Sequence, residues 1–420
     1  MNQYLLAGGI FLITYLIIVS ERLHRTLAAL LGGMLMILLG VVSQEEAFRS
    51  IDLNVIFLLA GMMMIAHVMA ETGIFQWLAV QAARLGRGNP IAIMVILSII
   101  TAVASAMLDN VTVVVLIAPV ILYVARTLDT NPMPFLIAGV MASNVGGAAT
   151  LIGDPPNILI GSAADIDFVK FLVNMGPPVV FALIAGLLVS VFQFNRQLRV
   201  PLHRQRAIMR LTTKGLIHDP VMLSRSLMVL ALVLLGFFLQ GWLHLEPASI
   251  ALSGATILLI WTRYDPRRVL ENIEWTTLMF FVGLFITVEA IAKAGIIKEF
   301  ADVILLITAG DLDTTAYFIL WFSAIASGIV DNIPYTATMI PVLQGLSGEL
   351  TLEPLWWALA LGADLGGNLT LVGASANVVV ANLAERSGHR LSFLEFLRYG
   401  LVYVAVSLLI ASVWLWLRFF

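Results

Sequence analysis

The sequence predicts an all-α polytopic membrane protein: ten transmembrane helices plus two re-entrant hairpins, built as an inverted repeat of five spans plus one hairpin. Three observations predict it: a low charged fraction, a series of apolar runs of bilayer length, and an internal repeat. Of 420 residues, 60% are hydrophobic and 12% are charged, with a mean hydropathy of +0.99. A soluble domain carries about 25% charged residues, so a water-soluble fold of this size could not cover its surface. That excludes an ordinary cytosolic enzyme, a nucleic-acid binder and a disordered chain. The net charge of −3 implies no strongly basic or acidic partner. With no cysteine, disulfides, thiolate metal sites and Cys nucleophiles are excluded.

A spanning helix needs about 20 mostly apolar residues. Stretches 4–20, 26–42, 53–70, 176–194, 221–240, 248–262, 275–292 and 400–418 qualify. Two more, 134–163 and 354–384, are apolar but interrupted by Gly, Asn, Asp and Pro, and read as broken helices. The first run has no basic region before it and a second span follows at once, which argues against a cleaved signal peptide. Segments 90–126 and 314–348 carry Asp-Asn in their middle. A straight helix of that length would overshoot a bilayer, whereas a hairpin returning to its own side fits. Such backbone is tolerated where it is buried in protein or lines a wet cavity.

Basic residues test the layout. With the N-terminus outside, five of the 23 Lys and Arg residues fall outside: Arg49, Lys170, Lys293, Lys298 and Arg418. The rest fall inside, among them Arg22, Arg25, Arg84, Arg87, Arg126, Arg263, Arg267 and Arg268. This satisfies the positive-inside rule and places both termini outside a cell inner (cytoplasmic) membrane. The polar stretch 196–220, with Arg196, Arg199, Arg204, Arg206, Arg210 and Lys214, reads as a basic cytoplasmic linker. It joins a first half, 1–195, to a second, 221–420.

The halves repeat. An offset of 222 aligns Gly73-Ile74 with Gly295-Ile296, Asp109-Asn110 with Asp331-Asn332, and Pro119-Val120 with Pro341-Val342. An offset of 220 aligns Pro134 with Pro354, Gly146-Gly147 with Gly366-Gly367, Thr150 with Thr370, and Asn157 with Asn377. Five spans per half make the second half enter from the opposite side. Inverted repeats with interrupted helices at corresponding positions point to a secondary transporter with a midplane site.

The candidate site follows. The hairpin tips carry Asp109, Asn110 and Thr112, and Asp331, Asn332 and Thr336. An ionised Asp at bilayer depth costs about 2.5–3.5 kcal/mol on insertion scales, so two at matching positions need a reason. Cation or proton binding supplies one, and capping of the second hairpin helix supplies another. The broken helices carry Asn144, Gly146, Gly147, Thr150, Asp154 and Asn157, and Asp364, Gly366, Gly367, Asn368, Thr370 and Asn377. Gly-Gly and Pro155-Pro156 weaken the helix and free backbone carbonyls for a cation. Small-residue packing explains the glycines but not the Asp and Asn residues beside them. Asp109, Asp331, Asp364 and Asp154 are the candidates for proton coupling. His67 and Glu71, four residues apart, read as a buried hydrogen-bonded pair near a helix end in preference to a proton relay. No zinc-protease, phosphate-loop or serine-hydrolase motif is present, so no catalytic residue, cofactor or metal is expected. The absence of an ATP site leaves an ion gradient, or a soluble ATPase subunit docked on the linker, as the energy source.

These tips and broken helices resemble the ion transporter superfamily, which includes ArsB-type arsenite efflux pumps, sodium/proton antiporters, dicarboxylate/citrate carriers and the melanosomal P protein. Residues 331–342 and 146–157 look most like the ArsB and P-protein branch. The dicarboxylate carriers use Ser-Asn-Thr tips, whereas both tips here have Asp-Asn, which would repel a dicarboxylate. The resemblance implies a scaffold, a moving transport domain and elevator-like alternating access. It also implies arsenite or antimonite as substrate and protons as the coupling ion. A sodium/proton antiporter is the first alternative and an anion permease a weaker one. A membrane enzyme and a fixed channel are disfavoured.

Overall fold

A computed structural model describes residues 3–20, 22–209 and 212–420; Arg210 of the linker lies outside them. The described residues form helices and connecting turns, with no strand among them. The first half opens with α1 (Gln3–Ser20), α2 (Arg25–Leu38), the short α3 (Gln44–Arg49), α4 (Leu53–Glu71) and α5 (Ile74–Leu85). Then come α6 (Pro90–Met107), α7 (Asn110–Leu128), α8 (Met133–Gly147), α9 (Pro155–Ala163) and α10 (Phe168–Phe194). The linker holds α11 (Leu202–Ile208). The second half runs through α12 (Pro220–Phe238), the one-turn α13 (Gln240–Leu243), α14 (Pro247–Thr262), α15 (Pro266–Glu271) and α16 (Trp275–Lys293). It closes with α17 (Ile296–Thr308), α18 (Leu312–Ile329), α19 (Asn332–Gly345), α20 (Leu352–Gly366), α21 (Ser375–Arg386) and α22 (Phe393–Phe419).

The repeat is visible element by element, from α2 and α14 through to α10 and α22. The same local chemistry stops and starts the helices in both halves. Asp109 caps α7 through the Val111 and Thr112 N–H groups, and its counterpart Asp331 caps α19 through the Ile333 N–H. Gly73 and Gly295 have φ of +82° and +86°, a left-handed turn that only glycine adopts cheaply, before α5 and α17. The caps at Leu108 and Val330 are extended, which ends α6 and α18 and lets the chain reverse.

Two kinds of packing divide the helices. α2 lies against α16 and α14 against α4, each contact crossing between the halves. Within each half the first hairpin arm lies on the broken helix, α6 on α8 and α18 on α20. The outer surface is apolar, with Leu12, Leu188, Phe192 and Leu306 exposed, while Asn144, Asp364 and Asn377 are buried at the centre. That is the arrangement expected of a fold solvated by hydrocarbon.

Nine described helices are long and apolar enough to cross a membrane: α1, α4, α6, α7, α10, α12, α16, α18 and α22. This set differs from the ten spans read from the sequence. Length admits α6, α7 and α18, which are hairpin arms in that reading. It omits the 14-residue α2, the 16-residue α14 and the broken pairs α8–α9 and α20–α21.

Candidate substrate and ion site

The hairpin tips are fastened to the breaks in α8–α9 and α20–α21. The Asn110 N–H donates to the Gly153 carbonyl, and the Asn332 N–H to the Gly373 carbonyl, both at 3.2 Å. Thr150 Oγ1 donates to the Ala106 carbonyl and Thr370 Oγ1 to the Gly328 carbonyl, both at 2.6 Å. Gly146 and Gly366 make the approach possible. A Cβ on Gly146 would stand 2.2 Å from the Ala102 carbonyl oxygen, and one on Gly366 2.4 Å from that of Ala324. These two glycines are therefore packing residues. The Gly147 and Thr150 carbonyls accept from Asn157 Nδ2, and those of Gly367 and Thr370 from Asn377 Nδ2. The carbonyls expected to face a cation are thus engaged by the two asparagines.

Both tip aspartates are helix caps. Asp109 accepts from the Val111 and Thr112 N–H groups at 3.2 and 2.8 Å. Asp331 accepts from the Ile333 N–H at 3.1 Å, and its other oxygen receives Ser375 Oγ at 2.7 Å. A capping carboxylate keeps further acceptor capacity.

The four interrupted elements converge on Asp154. Its Oδ2 accepts from Asn110 Nδ2 at 2.7 Å, and Asn332 Nδ2 reaches its two oxygens at 3.3 and 3.4 Å. One carboxylate thereby receives an amide from each hairpin. Beside it, Asn144 Nδ2 donates at 2.9 Å to Asn368 Oδ1 and to Asn377 Oδ1, and Asn368 Nδ2 donates to the Met141 carbonyl. Asp364 is 0% exposed with neither oxygen receiving a hydrogen bond. Its neighbour is Asn157, and it acts electrostatically on Asp154, as do Asp109 and Asp331. Asn110 Oδ1, Asn157 Oδ1 and Thr336 Oγ1 are also buried without partners. Thr112 is half-buried. The predicted Asp and Asn residues of the tips and breaks therefore gather at one junction, while Gly146, Gly366, Thr150 and Thr370 fasten the hairpin backbones beside it. Among the described residues, no group of three His, Asp or Glu side chains is placed to hold a metal ion.

An open cavity of about 430 Å³ leads to this junction, lined among others by Ile18, Arg25, Val111, Glu274, Asp331 and Ser375. A second space, about 10 Å³, lies deeper between Asp109, Asp154, Asn332 and Glu274. That is room for roughly one water. The two spaces share Arg25, Val111, Glu274, Thr277 and Ser375 as walls. Arg25 Nη1 sits 2.7 Å from Asp331 Oδ2 and 2.5 Å from Ser375 Oγ. Arg25, Glu274 and Ser375 were not legible as site residues. Arg25 matches Pro247 in the repeat, so no repeated motif marks it. The expected His67–Glu71 hydrogen bond does not form; His67 meets the Tyr264 ring edge-on, with centroids 6.1 Å apart.

The profile of the CitMHS family, described as citrate transporters, matches residues 15–362. The chain belongs to that family. It is 44% identical to an uncharacterized transporter of Mycobacterium tuberculosis over 99% of this chain and 98% of that protein. It is 35% identical to the human P protein, over 97% of this chain and 59% of the P protein. The YdaH transporter of Alcanivorax borkumensis has the same fold, with a TM-score of 0.60 and 15% identity, covering 100% of this chain and 99% of the other. The chain is therefore a multi-pass membrane transporter of the ion transporter superfamily.

Proposed function

We propose that this transporter is a proton-coupled secondary exchanger for a small, uncharged, hydroxyl-rich solute. Arsenous acid and its antimony analogue are the solutes of that class that the site suits. The observation that carries the reading is the junction around Asp154. Four carboxyl groups, Asp109, Asp154, Asp331 and Asp364, surround a lattice of amides. Arg25 is the basic side chain at this place, and Asp331 already pairs with it. Free citrate, a polyanion, would meet excess negative charge, so within this family it would need neutralisation by protons or a cation. Arsenous acid is neutral at neutral pH and offers three hydroxyls to amides and carboxyls. A site without thiols binds it reversibly.

The packing supports an elevator. α2, α4, α14 and α16 form a frame linking the halves, while the hairpins ride on the broken helices. With the basic residues inside, both termini lie outside an inner membrane. The open cavity beside Arg25 and Glu274 then faces the cytoplasm. The inverted repeat supplies the opposite-facing state.

Sodium/proton antiport is the second reading, and a specific observation favours it. The buried unpartnered atoms Asn110 Oδ1, Asn157 Oδ1, Thr336 Oγ1 and the Asp364 oxygens are all oxygens, the ligand type of a hard cation. Proteoliposomes loaded with a pH-sensitive dye separate the readings. Proton flux driven by arsenite but by neither sodium nor citrate is expected. Flux driven by sodium alone would establish the antiporter, and flux driven by citrate alone an organic-anion carrier.

A further inference from the structure

Asn144 and Asp364 stand 220 residues apart at the same place in the two halves, as do Asn157 and Asn377. The two amides of the second pair are held alike. Each donates its Nδ2 to two carbonyls of its own broken helix, Gly147 and Thr150 for Asn157, Gly367 and Thr370 for Asn377. That leaves each Oδ1 as an acceptor. At Asn377 the acceptor is used, by Asn144 Nδ2 at 2.9 Å. At Asn157 it is not. Asn157 lies against the Asp364 carboxyl, neither oxygen of which has a hydrogen-bond partner in normal geometry.

An ionised Asp364 would leave bare acceptors facing one another at a place with 0% exposure. Buried acceptors without donors are strongly disfavoured. A single proton supplies the donor missing between Asp364 and Asn157. As an acid, Asp364 donates O–H to Asn157 Oδ1 and takes the part that Asn144 Nδ2 plays in the other half. We infer that Asp364 is a neutral acid in this conformation, hydrogen-bonded to Asn157, and that it is the group which carries the exchanged proton. The second clause rests on the proton-coupled reading; the first does not.

Asp154 differs, since its oxygens already receive the amides of Asn110 and Asn332, which suits a carboxylate. It is also the acidic group facing Asp364 from the head of α9. On the other helices packed against α20, Tyr335 of α19 is hydrogen-bonded to Ser323, and Lys170 of α10 pairs with Glu353 at the N-terminal end of α20. Tyr403 of α22 is buried with its hydroxyl unpartnered. Asp331 keeps Arg25 on the cavity side. Among the described residues no cation pairs with Asp364, and Asn157 is the polar side chain against it. The halves thus differ in kind: Asn144 and Ala374 are neutral where Asp364 and Asp154 are acidic.

Infrared difference spectroscopy of the purified full-length protein tests the first clause without any substrate. The wild-type spectrum should show a carboxylic-acid carbonyl band that shifts in heavy water. D364N should lose that band and D154N should keep it. D364N should also fold with an unchanged melting temperature, because an amide at that place reproduces the geometry of Asn144. D364A, which orphans Asn157, should melt lower. A wild-type spectrum lacking any Asp364-dependent acid band would overturn the inference. So would a D364N protein that fails to fold. In proteoliposomes with arsenite, sodium or citrate as the probe, D364N should lose the proton flux of the wild type entirely. Proton flux retained in D364N would overturn the coupling role. The band together with no proton flux in the wild type would leave the neutral acid standing and overturn the proton-coupled reading.

Discussion

The Arg25 guanidinium, on a helix of the frame, holds the Asp331 carboxylate at the tip of the second hairpin at 2.7 Å. The pair is partly buried, with side-chain exposures of 27% and 11%. The proposed elevator motion of the hairpins relative to α2 would break it. Removing one partner strands a half-buried charge, whereas removing both does not. R25A and D331A should therefore each impair transport. The double variant should be less impaired than the two single losses combined, with a coupling energy of about 1–2 kcal/mol, or up to roughly thirtyfold in rate. A double-mutant cycle on initial flux measures this, and strict additivity would dissociate the pair from the transport cycle.

Asp154 receives Asn110 from one hairpin and Asn332 from the other. D154N replaces an acceptor-only group by one that also presents N–H. It then faces at least one amide donor with a donor. Each lost buried hydrogen bond of this charge-assisted kind costs about 1.5–3 kcal/mol. The variant should melt lower and transport at least about tenfold more slowly at equal expression, the smaller end of that range. Thermal melts beside flux rates check it. Wild-type values for both would mean that the hairpins are not gathered by this carboxylate.

The glycines give a steric test. A Cβ on Gly146 meets the Ala102 carbonyl oxygen at 2.2 Å, and backbone has little freedom to withdraw. G146A should force α6 from α8 and destabilise by about 1–3 kcal/mol. Gly9, on α1, stands in open space, and a Cβ there would meet nothing within 4 Å. There the same change should be neutral or stabilise by about 0.5–1 kcal/mol through helix propensity. Equal melting temperatures for the two variants would contradict the close hairpin contact.

Much of this site is legible in the sequence because it is written twice. Asp109 with Asp331, Gly146 with Gly366 and Asn157 with Asn377 each mark themselves by repetition, and the structure gives the members of each pair matching contacts. What the sequence conceals is whatever breaks the repeat. Arg25 has Pro247 as its counterpart and reads as one more positive charge at a membrane edge. Its contacts with Asp331 and Ser375 span 306 and 350 residues, beyond any local pattern. The glycine carbonyls mislead for the opposite reason. Unwinding does free them, but Asn157 and Asn377, only seven to ten residues on, claim them first. The spans are blurred by length, since the 18- and 19-residue helices that the sequence reading takes as hairpin arms satisfy the same length and hydropathy rule as the other spans.

Outside the bilayer, α3 offers a titration that tests how it is held on α16. Glu46 closes a capping box with Ser43 and takes Lys293 Nζ at 2.5 Å. The Lys293 ammonium foremost, then the Ser43 hydroxyl and N–H, pull its carboxyl from 4.5 down to about 2. A lowered folded value means the contact favours the ionised form. Its stabilisation is complete above about 4.5 and is lost as the pH falls toward about 2. Amide hydrogen exchange in residues 44–49, corrected for intrinsic rates, should accelerate through that window. E46Q should abolish the pH dependence while keeping part of the capping box, because an amide oxygen still accepts from Ser43. High salt should imitate acid only partly, screening the exposed Lys293 pair but leaving the Ser43 hydrogen bonds. Exchange in 44–49 that ignores pH in the wild type would show that α3 is held by its apolar contacts, Ala47 first among them, rather than by this carboxylate.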